Sequence, residues 1–436
     1  MGLWWLFLAA AWVVTQRCVG YRQVNTFTLF LPLLVVTNGL FVPWSRDLNA
    51  VITGYDLSDS AFASFWIALG LMYAAMPVGI CLANRFRNPA FATIPVLLTT
   101  TRNPANARVY IAFVIVLSVV SLVQIYAAGV QLDLVSYFTG FESFSEYVEH
   151  RYPFAAATSG PAFYLYNRLA YGIAPLAYVL IWNWPGWSRA WKCLLLALVA
   201  LTVIQSGHKE PLVLIGGTLV TSWYAIRQGL RLTRRFYVLV TSLGIVMVVV
   251  VLPLFYMTQG VAEYGSALYW GVYRVLGEPL RTLQLYFEVY PTYHPHLHGM
   301  SSRTVAALVG AENYLTAGQY IPNVFLGIEN TTFPALFIGD AWADFGYAGV
   351  FTYSVFIGFV LQVYNVWYFS RPARYLEDTA LLLTIAIATE HLFASTVFSA
   401  LLTFGLGTSL IMYLAVRGVR LARQTSRTTA TVRALP

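Results

Sequence analysis

The chain has 436 residues, of which 58% are hydrophobic and only 10% charged, with a mean hydropathy of +0.65 and a formal net charge of +8. Soluble domains carry about 25% charged residues, so a water-exposed surface of ordinary composition is excluded. No zinc-finger spacing, aromatic RNA-binding motif or long basic helix accompanies the positive charge, which sets nucleic acid aside as a partner.

The first apolar stretch, Leu3 to Val14, has no basic residue ahead of it and is followed by Arg17 and Arg22. That order is the reverse of a secretory signal and predicts a retained membrane helix. A membrane span needs roughly 20 mostly apolar residues. By that measure about eleven spans are expected, over 2–16, 24–43, 61–82, 109–130, 160–181, 191–205, 211–226, 236–257, 345–369, 379–394 and 398–416. The short ones around 191–226 and 379–416 can equally be tilted, broken or re-entrant. The stretch 91–99, between Arg85, Arg87, Arg102 and Arg108, is too short to span and reads as interfacial or re-entrant. The expected fold is an all-α polytopic membrane protein, a single integral membrane domain over 1–436.

Charge orients these spans. With the amino terminus outside and the carboxyl terminus in the cytoplasm, cytoplasmic connections, counting Lys192 just inside its span, hold 19 of the 26 basic residues but only two of the 18 acidic ones, Glu377 and Asp378. The same orientation puts all six histidines in outer loops or near outer helix ends. It puts Cys18, Cys81 and Cys193 at cytoplasmic ends, and with no CxxC pair a disulfide framework is not expected. The segment 258–332 becomes a long outer loop, too rich in aromatic residues to stay unfolded, and is expected to lie on the helix bundle.

Chemistry concentrates on that outer side. Arg168 sits about eight residues into its span, a depth of about 12 Å. A guanidinium there requires a carboxylate such as Glu390 or Asp340, a watery cleft or an anionic ligand such as a lipid diphosphate. The turn Ser206-Gly-His-Lys-Glu-Pro211 offers Lys209 to a phosphate and His208 or Glu210 to an acceptor hydroxyl, or is simply a solvated turn. Arg274, Glu278 and Arg281 fall at i, i+4 and i+7, where one helix face either binds a diphosphate or satisfies itself as a salt-bridge cluster; Pro279 places a helix start near 278. His294, His296 and His298 alternate, and extended backbone would project them to one side. The nearest carboxylate in sequence is Glu288 and the spacing is unlike closed zinc sites, so no metal is expected. An ordinary polar loop, or a histidine acting as base or sugar ligand, is the alternative. Asp340 and Asp344, at i and i+4, either cap a helix start or serve catalysis, and Gly346 and Gly349 allow close helix approach. Glu390 and His391 form another pair near an outer helix end.

The span layout, the long outer loop before the ninth span and the GDAWADFGYAGVF stretch at 339–351 resemble bacterial oligosaccharide repeat-unit polymerases of the O-antigen polymerase type. The resemblance covers most of the chain in layout and this short stretch in motif. It implies a GT-C-like helical architecture in the bacterial inner membrane and polymerisation of undecaprenyl-diphosphate-linked repeat units at the periplasmic face. It implies no metal, nucleotide sugar or other cofactor. The implied partners are lipid-linked oligosaccharides, membrane lipid, a chain-length regulator and a repeat-unit flippase. Family arginines that hold the diphosphate match Arg274 and Arg281, with Arg151 and Arg303 in reserve. The SGHKEP turn departs from the family's SGSRG-like turn, with Lys209 where an arginine is expected, which keeps the charge and loses the planar fork. Glu278, His298 and His391 are the candidates for the base that activates the acceptor hydroxyl. An O-antigen ligase-type transfer shares donor and compartment. A lipid-linked glycan transporter is the alternative of another class, weakened by the lack of an inverted repeat and by apolar cytoplasmic halves.

Overall fold

The computed structural model describes residues 2–19, 24–40, 42–45, 57–86, 104–127, 168–204, 210–228, 230–257, 263–311, 314–328, 332–333, 335–371, 374–393, 395–402 and 405–415. The expected features at 91–99, 131–159 and 205–209 and the tail from Arg417 lie outside them.

Among the described residues five helices are long and apolar enough to cross a membrane: α1 (Gly2–Val19), α3 (Asp59–Phe86), α4 (Pro104–Ala127), α8 (Arg234–Val246, running on to Leu254) and α13 (Phe337–Phe369). The chain is a largely all-α protein with the several long apolar helices of a polytopic membrane protein. The expectation of about eleven spans is corrected by interruptions that a hydropathy window does not register. The 24–43 stretch holds α2 (Phe27–Val35), with Pro32 inside it, and then a π turn, Val36–Leu40, in which Asn38 leaves helical geometry. α6 (Arg189–Ile204) has 16 residues and α14 (Leu376–Ala388) has 13, ending in a 3-10 turn, Thr389–Phe393. The last stretch is α15 (Val397–Leu402) and a second helix over 408–415, separated at Gly405, whose φ is +102°.

Two groups of helices carry the core. In the first, α13 packs along α3 while α1 lies against α3. Trp4 Nε1 donates to the Gly39 carbonyl at 2.9 Å, and the Thr26 amide and hydroxyl donate to Asn365 Oδ1 and the Leu361 carbonyl, each at 3.0 Å. In the second, a π segment, Arg168–Ile173, runs into α5 (Ala174–Trp182), which is buried from Ala174 to Ile181. A helix apolar all round must be covered on every side, and α4, α6, α7 (Glu210–Gln228) and α14 pack around it.

The stretch from Glu263 folds largely into helices: α9 (Tyr264–Val272), a π turn (Tyr273–Gly277), α10 (Glu278–Val289), α11 (Arg303–Leu308) and α12 (Ala317–Tyr320). Of these, α10 packs on both α3 and α13. α13 itself begins eight residues before the expected 345 and breaks at Phe345 and Gly346, the latter at φ +59°, ψ −139°. Gly346 is therefore a hinge between two arms and not a helix-crossing glycine; such a backbone suits only a residue without Cβ. At Gly349 an added Cβ would lie 2.0 Å from the Ala341 carbonyl oxygen, so this glycine lets the second arm close on the first.

Candidate functional site

The site is assembled where α10, the turn that follows it and the first arm of α13 meet. Pro279 and Glu278 suit the first turn of α10, where an N–H is not needed and negative charge meets the helix dipole. The helix is buried from Thr282 to Val289. It is tied to α3 by Glu288, which accepts from the Ser58 amide at 3.0 Å and the Ser58 hydroxyl at 2.8 Å. Gly339 lets the α13 arm approach: a Cβ there would stand 3.1 Å from the Tyr286 ring.

Where the arm ends at the Phe345–Gly346 break, its last carbonyls need donors. The turn after α10 supplies them, with Leu297 N–H to Ala343 O at 2.8 Å and His298 N–H to Asp344 O at 3.1 Å. The Asp344 carboxylate is fully buried and accepts from the Ser301 amide at 2.9 Å, the Ser301 hydroxyl at 2.6 Å and the Tyr353 hydroxyl at 3.1 Å. Three donors make it a satisfied anchor between the turn and both arms of α13.

Asp340, one helical turn earlier, is treated differently. It is 4% exposed and makes no hydrogen bond or ion pair among the described residues. It lines a cleft of about 140 Å³ together with Tyr286, Ser301, Thr316, Phe333 and Ser395. Neighbouring phenols register this environment. Burial first and the Asp340 charge second hold Tyr286 well above the ordinary tyrosine value, and burial followed by Asp344 and Asp340 pushes Tyr314 up to about 12. Arg281 stands beside the cleft. Its guanidinium is 5.6 Å from the centre of the Phe333 ring and donates to the Tyr273 hydroxyl at 3.3 Å. Phe333 thus lines the cleft that holds the uncommitted carboxylate and carries a cation over its ring.

The other residues singled out by sequence are placed as follows. Arg274 and Glu278 pair at 2.5 Å, with the Arg274 side chain 63% exposed, so Glu278 is engaged on the helix surface. The alternating histidines do not project to one side, because the chain turns instead of extending. The His294 ring meets Tyr320 at 4.5 Å, His296 Nδ1 lies 3.2 Å from the Ala343 carbonyl, and exposed His298, at φ 52°, lies beside Phe345. Among the described residues no group of three or more His, Cys, Asp or Glu side chains could hold a metal. His391 is buried edge-on against Tyr171, with ring centres 4.7 Å apart; its carbonyl accepts from Ser395, at the edge of the Asp340 cleft. Arg168 is exposed at the start of the π segment that also carries Tyr171, and pairs with no acid among the described residues. Glu390 lines a different cavity, an apolar groove of about 500 Å³ between α2, α7, α8 and α14. Arg303 begins α11. Its side chain, and Arg151, His208 and Lys209, lie outside the described residues.

Sequence reasoning did not single out Tyr286, Ser301, Thr316, Phe333 or Ser395. They are residue types common in any loop or helix, and only the position of Ser301 directly after HPHLHGM offered a local signal. The chain matches no protein-family model, no curated protein and no solved structure.

Proposed function

We propose that this protein is a membrane-embedded glycosyltransferase that polymerises undecaprenyl-diphosphate-linked oligosaccharide repeat units at the periplasmic face of the bacterial inner membrane, with a GT-C-like arrangement of helices. One observation carries the reading: Asp340 and Phe333 line one cleft, and the Arg281 guanidinium stands over the Phe333 ring. The reaction makes two demands on a protein, neutralising charge on a departing diphosphate and engaging an acceptor hydroxyl. Arg281 supplies a permanent positive charge with a planar fork matched to phosphate oxygens. The carboxylate supplies an acceptor for the hydroxyl proton. The diphosphate is already a good leaving group, so no further cofactor is required by the chemistry.

The test is incubation of the purified chain with a defined undecaprenyl-diphosphate oligosaccharide, followed by measurement of product length and released carrier. A ladder of longer lipid-linked products with matching carrier release supports polymerisation. Transfer only to lipid A would make the protein a ligase. Movement of the lipid-linked glycan across a bilayer without bond formation would make it a transporter.

A further inference from the structure

The hydrogen bonds around Asp340 determine what the cleft can hold. Of the seven hydroxyls lining it, five, all but those of Thr332 and Ser399, have a partner for their proton: Tyr286 donates to the Phe333 carbonyl at 3.1 Å and Ser301 to Asp344 at 2.6 Å. Thr316 donates to Gln319 Oε1 at 3.2 Å, Ser395 to the His391 carbonyl at 2.7 Å, and Thr396 to the Ser399 hydroxyl at 3.0 Å. A hydroxyl has one proton to give and two lone pairs. With the proton committed elsewhere, each of these five oxygens can only accept from a further partner. The Asp340 carboxylate is also an acceptor, and it is 4% exposed with no donor among the described residues. An ionised carboxylate left buried without a donor or a cation is costly, so a hydroxyl entering the cleft meets acceptors on most of its wall and supplies Asp340 with a partner.

We propose that this cleft receives the acceptor hydroxyl of the incoming glycan and that Asp340 takes its proton. The inference rests on the glycosyl-transfer reading and deepens it by assigning the acceptor subsite and the base. As the acceptor oxygen bonds to the anomeric carbon of the donor, the bond from that carbon to the diphosphate oxygen breaks and the diphosphate leaves with the electron pair. The hydroxyl proton passes to Asp340 and is later returned to water. None of the three bases expected from sequence lines the cleft: Glu278 is paired with Arg274, His298 lies on the surface beside Phe345, and the His391 ring packs on Tyr171.

The experiment uses the full chain in lipid nanodiscs with an undecaprenyl-diphosphate oligosaccharide, reading carrier release and product length. Asp340→Asn is expected to lower kcat by about 10²- to 10⁴-fold, the usual contribution of a positioned base, with little change in KM for the lipid-linked donor and an unchanged unfolding temperature. Asp340→Glu is expected to keep measurable elongation with a pH–rate profile displaced from that of the wild type, which a merely structural role would not produce. This second variant decides the matter if the asparagine form does not fold. Wild-type elongation together with an undiminished Asp340→Asn rate, or a glutamate variant with the wild-type pH profile, overturns the assignment while leaving the polymerase reading in place. A wild-type protein that forms no glycosidic bond overturns both. Stabilisation of the wild type but not of Asp340→Asn by sodium ions, without glycan, would give the cleft to a cation and overturn the assignment as well.

Discussion

Gly79 of α3 and Gly358 of α13 each stand against the backbone of the other helix: a Cβ at Gly79 would lie 2.0 Å from the Val355 carbonyl oxygen, and one at Gly358 would lie 2.4 Å from that of Met76. Small residues at a crossing let two membrane helices touch backbone to backbone, where dispersion contacts accumulate. This contact holds the second arm of α13 at a set height against α3.

Alanine at Gly358 should therefore force the two helices apart and destabilise the protein by about 1–3 kcal/mol, the usual cost of overpacking. Gly70, on the same α3 helix, faces open space, with no atom within 4 Å of the point where a Cβ would stand, and Gly70→Ala should leave stability unchanged or raise it slightly. Thermal unfolding in detergent compares the two. Equal midpoints would refute the backbone contact.

Ser301→Ala removes one of three donors from a fully buried carboxylate. A hydrogen bond to a charged group contributes about 1.5–3 kcal/mol, so a loss of that size is expected in the unfolding free energy. Tyr353→Phe, which removes the longer 3.1 Å bond to the same carboxylate, should cost less. The reverse order would show that Ser301 is not the anchor.

The arginines should separate in an elongation assay. Arg281→Ala is expected to slow elongation by about 10²- to 10³-fold, the range for losing one group that stabilises developing negative charge, and Arg281→Lys should not restore it because the planar fork is lost. Arg274→Ala, at an exposed surface pair, should have a much smaller effect. Arg168→Ala, at an exposed position outside the Asp340 cleft, should likewise have little effect on chain length. Loss of polymer in the Arg168 variant, with single-repeat lipid intermediates and protein abundance intact, would bring that residue into the site.

The sulfurs of Cys18 and Cys81 lie 3.6 Å apart, across the α1–α3 contact. A mild oxidant should link them, since a small shift brings them to bonding distance. The measurement is maleimide labelling: two thiols should be lost and exposed Cys193 should remain reactive. Three reactive thiols after oxidation would mean that α1 does not rest where the structure puts it.

The membrane character of the fold was legible because apolar composition acts at every position, and the α1, α3, α4 and α8 spans overlap the stretches anticipated for them. The number of spans was not, because a break depends on a few residues. Asn38 and Gly405 interrupt stretches whose hydropathy is continuous. The pairing of Arg274 with Glu278 is local and followed from i, i+4 spacing. The contrast between Asp340 and Asp344 did not, since both are aspartates on one helix face and the difference comes from Ser301, some forty residues earlier.

By itself, then, the sequence determined that this chain belongs in a bilayer and that acidic residues stand at the head of its longest helix, because solvent preference and helical periodicity are summed over neighbours along the chain. Which carboxylate is tied down and which is left facing a cleft was decided by tertiary structure alone. Hydrogen bonds are short and directional, and donors from Ser301 and Tyr353 reach Asp344 only after the turn and the two arms of α13 have closed on one another.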